Sequence, residues 1–257
     1  MSGKYIFQIQ PRYADREGWL SLALEHDLYF EVLELTALPF LNGTGPIEEC
    51  KSWYKNSGRV SSLHGCFIDI NPASADKAVK ALSRDRCRAS CDLARELGAA
   101  RVIFHSSCFP FLRGAYLDNW AKECAEFYSE LAEDFSLEIC IENSYDLDPQ
   151  PIRTLMDRIS DRRVGVCLDV GHANYSREPL EHWISELGDR ISYIHLSDNA
   201  GQFDDHLTLG EGNVRLDLVF RYLKEREGVI PVTLEMGSVE SASASLRFMY
   251  DRGMKNE

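Results

Sequence analysis

Eight short apolar runs recur along this chain and alternate with longer stretches of helical pattern. They are Tyr5–Ile9, Phe30–Leu35, Val60–His64, Arg101–His105, Leu137–Glu142, Val164–Asp169, Ile191–His195 and Pro231–Glu235. Rich in Val, Ile, Leu and aromatics, they read as strands buried on both faces, as the strands of parallel sheets are. Between them the spacing predicts helices over Ala75–Leu97, Leu117–Glu133, Ile152–Ser160, Leu180–Leu187 and Leu216–Arg226. Gly98 and Gly188 stand where helices stop, and Pro149 and Pro179 at or near helix starts. Eight strands in alternation with helices predict an α/β chain, a single (β/α)8 TIM barrel over residues 1–257. An open dinucleotide-binding sheet would require Gly-x-Gly-x-x-Gly after an early strand. Only Gly43-Thr44-Gly45 and Gly210-Glu211-Gly212 occur, neither with the third glycine.

The length of 257 residues suits such a barrel. No apolar run approaches the roughly 18 residues of a membrane span, and the first residues lack a signal-peptide core. With 28 Lys plus Arg against 41 Asp plus Glu, the net charge of −13 disfavours general affinity for nucleic acid or anionic membrane. The eight cysteines are scattered without a Cys-x-x-Cys pair, and several lie inside apolar runs. They read as reduced core residues of a cytoplasmic protein, with Cys66 and Cys108, just past strands, left open.

The chemistry is carried by the strand ends. Strands 3 to 8 end in His64, His105, Glu142, Asp169, His195 and Glu235. His172 follows strand 6, and Asp204 and His206 follow strand 7, so five of the seven histidines fall at one predicted rim. In a barrel those ends converge on one mouth. Imidazoles and carboxylates gathered there serve divalent-metal binding and proton transfer. A lone histidine or glutamate at a strand end is ordinarily structural; six in succession is not. Around the mouth the sequence also places aromatics (Trp53, Phe67, Phe109, Phe111, Tyr145, Phe203) and three arginines, Arg12, Arg113 and Arg177.

Several segments resemble the xylose-isomerase-like TIM-barrel superfamily. They are Glu142-Asn143, Cys167-Leu168-Asp169-Val170-Gly171-His172, His195-Leu196-Ser197-Asp198 leading to Asp204-Asp205-His206, and Leu209-Gly210-Glu211-Gly212-Asn213. The superfamily holds sugar and sugar-phosphate isomerases and epimerases, and endonuclease IV-like abasic-site nucleases. In the epimerase branch the resemblance implies one divalent ion on Glu142, Asp169, His195 and Glu235. Mn²⁺ is favoured for that donor set, with Mg²⁺, Co²⁺ or Zn²⁺ as alternatives. It further implies proton removal beside a carbonyl through a metal-stabilised enediolate, with Glu142 and Glu235 as the catalytic acid and base. His64, His105, His172 and His206 would then face a carbohydrate-like substrate.

In the nuclease branch His64, His105, His172, Asp204 and His206 become additional ligands of a three-zinc cluster. All are present as residue types. Short, base-poor loops and the negative charge favour the isomerase or epimerase, with the zinc nuclease or a dehydratase or lyase as alternatives. A barrel that had lost its chemistry would need one of the four shared ligands replaced, and none is.

Overall fold

The computed structural model of the chain describes residues 5–38 and 40–255. Eight parallel strands close into a barrel in chain order: β1 (Tyr5–Ile9), β2 (Tyr29–Val32), β3 (Val60–His64), β4 (Arg101–His105), β5 (Glu138–Glu142), β6 (Val164–Asp169), β7 (Ile191–Leu196) and β8 (Ile230–Leu234). Closure is made by β8 on β1, with Tyr5 opposite Ile230 and Ile9 opposite Leu234. The connecting helices are α1 (Arg16–His26), α2 (Ile47–Ser57), α3 (Lys77–Leu97), α4 (Ala115–Phe135), α5 (Gln150–Met156), α6 (Val170–Asn174), α7 (Leu180–Leu187), α8 (Leu216–Glu225) and α9 (Val239–Tyr250). This is the (β/α)8 barrel expected. Among the described residues no helix is long and apolar enough to cross a membrane.

Local chemistry sets the element ends. Asp76 caps α3 by accepting from the Ala78 and Val79 amides, and Gly98 ends it at a φ of +80° that a side chain would resist. Strand β2 stops at Val32 rather than running to Leu35. The reason lies in Glu34, whose carboxylate accepts from the Tyr13 amide at 2.8 Å, the Tyr54 hydroxyl at 2.9 Å and the Cys50 thiol at 3.3 Å. These bonds draw the chain out of the sheet into a short 3-10 turn at Glu34–Thr36.

The core has two compartments. The large one lies between the sheet and the helices, and includes Trp19, Trp183, Phe104 and Tyr128. A small one of Ile103, Cys140, Cys167 and Tyr193 stands apart from it. Beside Tyr193 is a buried polar layer, which the expectation of strands apolar on both faces missed. The Ser62 hydroxyl donates to Gln8 Oε1 at 2.6 Å, and the Tyr193 and Thr233 hydroxyls donate to Glu31 Oε2 at 2.6 and 2.8 Å. These side chains are fully buried, and all but the Gln8 Nε2 amide find hydrogen-bond partners, the condition under which burying them is tolerable. All eight cysteines, Cys66 and Cys108 included, are buried free thiols.

Candidate metal centre

Strand register assembles the site. It sets His105 opposite Glu142 and Asp169 opposite His195, while Glu235 follows β8 directly. Glu142 lies at the middle. Its Oε1 is 3.3 Å from His195 Nδ1, which also has Glu235 Oε1 at 3.3 Å and Asp169 Oδ2 at 3.9 Å. Its Oε2 turns the other way, 3.4 Å from His64 Nε2 and 3.7 Å from His105 Nε2. A third set sits nearer solvent, where Asp204 Oδ2 is 3.2 Å from His172 Nε2 and 3.1 Å from His206 Nε2. His172 Nδ1 also comes within 3.3 Å of Glu142 Oε1. All nine residues expected from sequence are thus brought together.

Four of the five histidines are held in one orientation by a ring nitrogen bonded to a fixed acceptor. His64 Nδ1 is 2.9 Å from the Gly65 carbonyl, His172 Nδ1 is 2.7 Å from the Asn143 carbonyl, and His206 Nδ1 is 3.1 Å from the Glu235 carbonyl. A carbonyl only accepts, so each Nδ1 carries a proton and each Nε2 faces the carboxylates, which favour a second proton on it and would leave its lone pair to an ion that displaced that proton. His195 is reversed: its Nε2 donates to Glu31 at 3.0 and 3.1 Å, and Nδ1 is the inward nitrogen. An imidazole whose far N–H is fixed by a carbonyl or carboxylate is the arrangement of metal-ligating histidines.

The charges do not balance among themselves. Burial raises the Asp169 carboxyl to about 8, against the pull of His172, with Glu235 and Glu142 adding to the rise. Burial also raises Glu31, but His195 and its other partners outweigh this and hold it at about 2. Burial holds the His105 imidazole down at about 3, whereas His206, beside Asp204 and Glu235, rises to about 10 despite its burial. Glu142 Oε2, Asp169 Oδ2 and His195 Nδ1 are buried and have no hydrogen-bond partner. Asp169 Oδ2 and His195 Nδ1 lie on the Oε1 side of Glu142, and Oε2 lies on the side of His64 and His105, so buried polar atoms without a partner stand on both sides of that carboxylate, where a cation would satisfy them. The mixed carboxylate and imidazole set fits a divalent ion such as Mn²⁺, Co²⁺ or Zn²⁺.

Supporting residues escaped the sequence reading. Glu31, mid-strand and fully buried, fixes His195; Gln10 Nε2 donates to Glu31 Oε1 at 2.9 Å and to Glu235 Oε1 at 2.6 Å. Asn143 clamps β5 to β6, donating to the Asp169 carbonyl and accepting from its amide, both at 2.9 Å. Asp169 Oδ1 caps α6 through the His172 amide at 2.6 Å, which leaves Oδ2 for the centre. Asp198 organises the loop bearing Asp204 and His206 by accepting from the Asn199, Gly210, Gly212 and Val214 amides at 2.9–3.0 Å. Gly212 is required there, since a Cβ would lie 2.3 Å from the Asn199 carbonyl oxygen. The Asp198 and Asn143 signals lay inside the motifs at the strand ends, whereas nothing marked Glu31.

The other rim residues divide. Phe67, Phe109 and Tyr145 line a cavity beside His105. Trp53 does not join them but stacks on Phe30, ring centroids 5.6 Å apart. Arg113 pairs with Asp148 at 3.5 Å, and Arg177 lies over the Phe111 ring.

Fold and site together define a (β/α)8 barrel with a candidate metal centre at the C-terminal mouth of its strands. The xylose isomerase-like TIM barrel family matches residues 25–252, and the chain belongs to that family. It is similar to MJ1311 of Methanocaldococcus jannaschii, 32% identical over 184 residues, covering 66% of this chain and 62% of that one. The chain therefore spans less than two thirds of that relative's length. It is 27% identical over 225 residues to the probable endonuclease 4 of Mycobacterium leprae (strain Br4923), covering 81% and 77% of the two chains. In fold it is similar to a D-tagatose 3-epimerase-like protein, with a TM-score of 0.76, 24% identity and coverage of 98% and 96%. It is likewise similar to the TTHB071 protein from Thermus thermophilus soaked with ZnCl2, with a TM-score of 0.75, 23% identity and coverage of 96% and 97%.

Proposed function

We propose that this chain is a multinuclear metal-dependent hydrolase of small phosphoester substrates. The observation that carries the reading is Glu142, whose two oxygens face two different donor sets. A carboxylate used in this way suits a bridge between two metal positions. Glu142, Asp169, His195 and Glu235 would hold one ion, His64, His105 and Glu142 a second, and His172, Asp204 and His206 a third. Those residues would hold divalent ions, which when bound would supply Lewis-acid polarisation of a phosphoryl oxygen and activation of water at neutral pH. The chain's own part is to fix the donors. Backbone carbonyls and Glu31 keep the inward imidazole nitrogens in place, and Gln10 holds Glu235 against Glu31. The resemblance to a probable endonuclease 4 supports phosphoester chemistry. The net charge of −13 and an Asp198–Asp205 loop with three acids and no base argue for a small substrate over a duplex. Eight buried free thiols suit the reducing cytoplasm.

The test is stoichiometry and turnover. After loading with Zn²⁺ or Mn²⁺ and desalting, elemental analysis is expected to give two or more ions per chain. Bis(4-nitrophenyl) phosphate should be hydrolysed, and chelation should abolish this. One ion per chain with no hydrolysis overturns the reading.

A second reading, a sugar or sugar-phosphate epimerase using one Mn²⁺-class ion, is supported by a different contact. Glu142 Oε1 and Glu235 Oε1 each lie 3.3 Å from His195 Nδ1, two carboxylates disposed about one ligand. The D-tagatose 3-epimerase-like neighbour also favours it. Under this reading Glu142 and Glu235 exchange a proton with the carbon beside a carbonyl, and His64, His105, His172 and His206 face the substrate. Its signature is deuterium incorporation at that carbon in D₂O.

A further inference from the structure

Beside the metal centre lies a cavity of about 630 Å³ between the loops that follow β3, β4 and β5. Its size is that of a small-molecule site. His105 forms part of its wall, and the same imidazole faces Glu142 Oε2 at 3.7 Å, so a ligand filling the cavity abuts the metal donors. The remaining wall is largely apolar and aromatic. The Phe67 ring stands 5.3 Å from His105 and 5.1 Å from His64. Phe109 and Tyr145, also in the wall, are 72% and 68% exposed, large apolar rings left uncovered by the rest of the chain.

The polar groups there are few and specific. Among the described lining residues none is Lys or Arg, and Asp69 is the one acidic side chain. Asn71 also lines the cavity. Asp69 and Ser107 hold φ at +56° and +51°, backbone that non-glycine residues adopt only when their surroundings impose it. Such a wall repels a second phosphate and offers a sugar too few hydrogen-bonding partners. It suits a flat uncharged ring, stacked on aromatics, with amide or amine groups on its edge for Asp69 and Asn71. A nucleobase has that chemistry. A polynucleotide does not fit, because single-strand channels are basic and this chain carries a net charge of −13.

We propose that this cavity receives the nucleobase of a mononucleotide-sized substrate whose phosphoester lies at the metal centre. This rests on the phosphoesterase reading above. The probe is adenosine, which carries the ring without the phosphate, titrated into metal-loaded protein by calorimetry, with ribose 5-phosphate in parallel. Adenosine should bind, and the double variant Phe109→Ala, Tyr145→Ala should weaken it about tenfold or more while keeping its metal content. Both side chains are exposed, so the variant keeps the fold, as circular dichroism can verify. Adenosine that fails to bind, or binds the double variant equally well, overturns the proposal. So does ribose 5-phosphate losing as much affinity as adenosine in that variant. Hydrolysis of bis(4-nitrophenyl) phosphate is read separately. Hydrolysis without adenosine binding refutes the nucleobase site and leaves the hydrolase; adenosine binding without hydrolysis supports the ring site and refutes the hydrolase.

Discussion

Replacing Glu31 by Gln tests how the centre is held. Glu31 is fully buried, and its oxygens take His195 Nε2 at 3.0 and 3.1 Å, Gln10 at 2.9 Å, Tyr193 at 2.6 Å and Thr233 at 2.8 Å. Gln keeps the volume but offers one acceptor oxygen in place of two, and turns an NH₂ toward donors. A charge-assisted bond of about 1.5–3 kcal/mol becomes a neutral one of about 0.5–1.5 kcal/mol. At least one buried donor also loses its acceptor, at about 1–3 kcal/mol. Relief of the carboxylate's burial offsets part of this, so the expected loss of folding stability is about 1–3 kcal/mol. The specific effect falls on metal affinity. With His195 less firmly held in the Nε2–H form, divalent-ion binding should weaken about 10–100-fold, or about 1.4–2.7 kcal/mol. Competition against a chromophoric chelator measures the affinity, and the downfield proton resonance of His195 Nε2–H reports its hydrogen bond. A Gln variant that binds metal as tightly as the parent, with that resonance unmoved, would refute the argument that Glu31 positions His195.

Other outcomes follow from the same geometry. His64→Asn should lower the number of bound ions by one while Glu142, Asp169, His195 and Glu235 keep theirs, as elemental analysis of the desalted protein would show; unchanged stoichiometry would make His64 a substrate contact only. In chelated protein Asp169, raised to about 8, contributes stability that is present below its ordinary carboxylate range and lost as pH rises through about 8. Asp169→Asn should therefore flatten the fall in Tm of chelated protein between the ordinary carboxylate range and about pH 8, and a fall of unchanged steepness there would contradict the assignment. Glu31, held at about 2, works in the opposite sense: its contribution is present above its ordinary range and lost as pH falls through about 2, so Glu31→Gln should blunt acid unfolding below about pH 4.5. Asp198→Ala leaves four amides without their acceptor and should speed hydrogen exchange at Gly210, Gly212 and Val214, with Asp204 and His206 losing their ion. Protection unchanged in that loop would mean that its shape has another source.

Much of the fold was legible because it rests on short-range pattern. Strands β1, β3, β4 and β6 run as read, and α7 begins and ends at Leu180 and Leu187 as its proline and glycine signals indicated. Glu34 shows the limit. Its residue type fits a strand, but bonds from Tyr13, Cys50 and Tyr54 draw it out, and those partners belong to two other segments. Trp53, expected at the mouth, was taken instead by packing on Phe30.

The sequence by itself pointed to the barrel and to nine residues at its mouth, because eight strand and helix alternations without a dinucleotide-binding glycine motif favour closure, and a residue at a strand end is carried to the rim wherever the strand sits. Tertiary structure decided which atom of each donor faces which. Glu142 serves two sets only because His64 and His105 approach one oxygen while His195 approaches the other. The inward nitrogen of His64, His172, His195 and His206 depends on a carbonyl or carboxylate brought to the other ring nitrogen. For His195 that group is Glu31, 164 positions away in the chain and placed by strand register and inward pleat across the closed barrel. Local periodicity carries no information about such a pair, since it is the closing of the sheet that turns two unrelated strand positions toward the same axis.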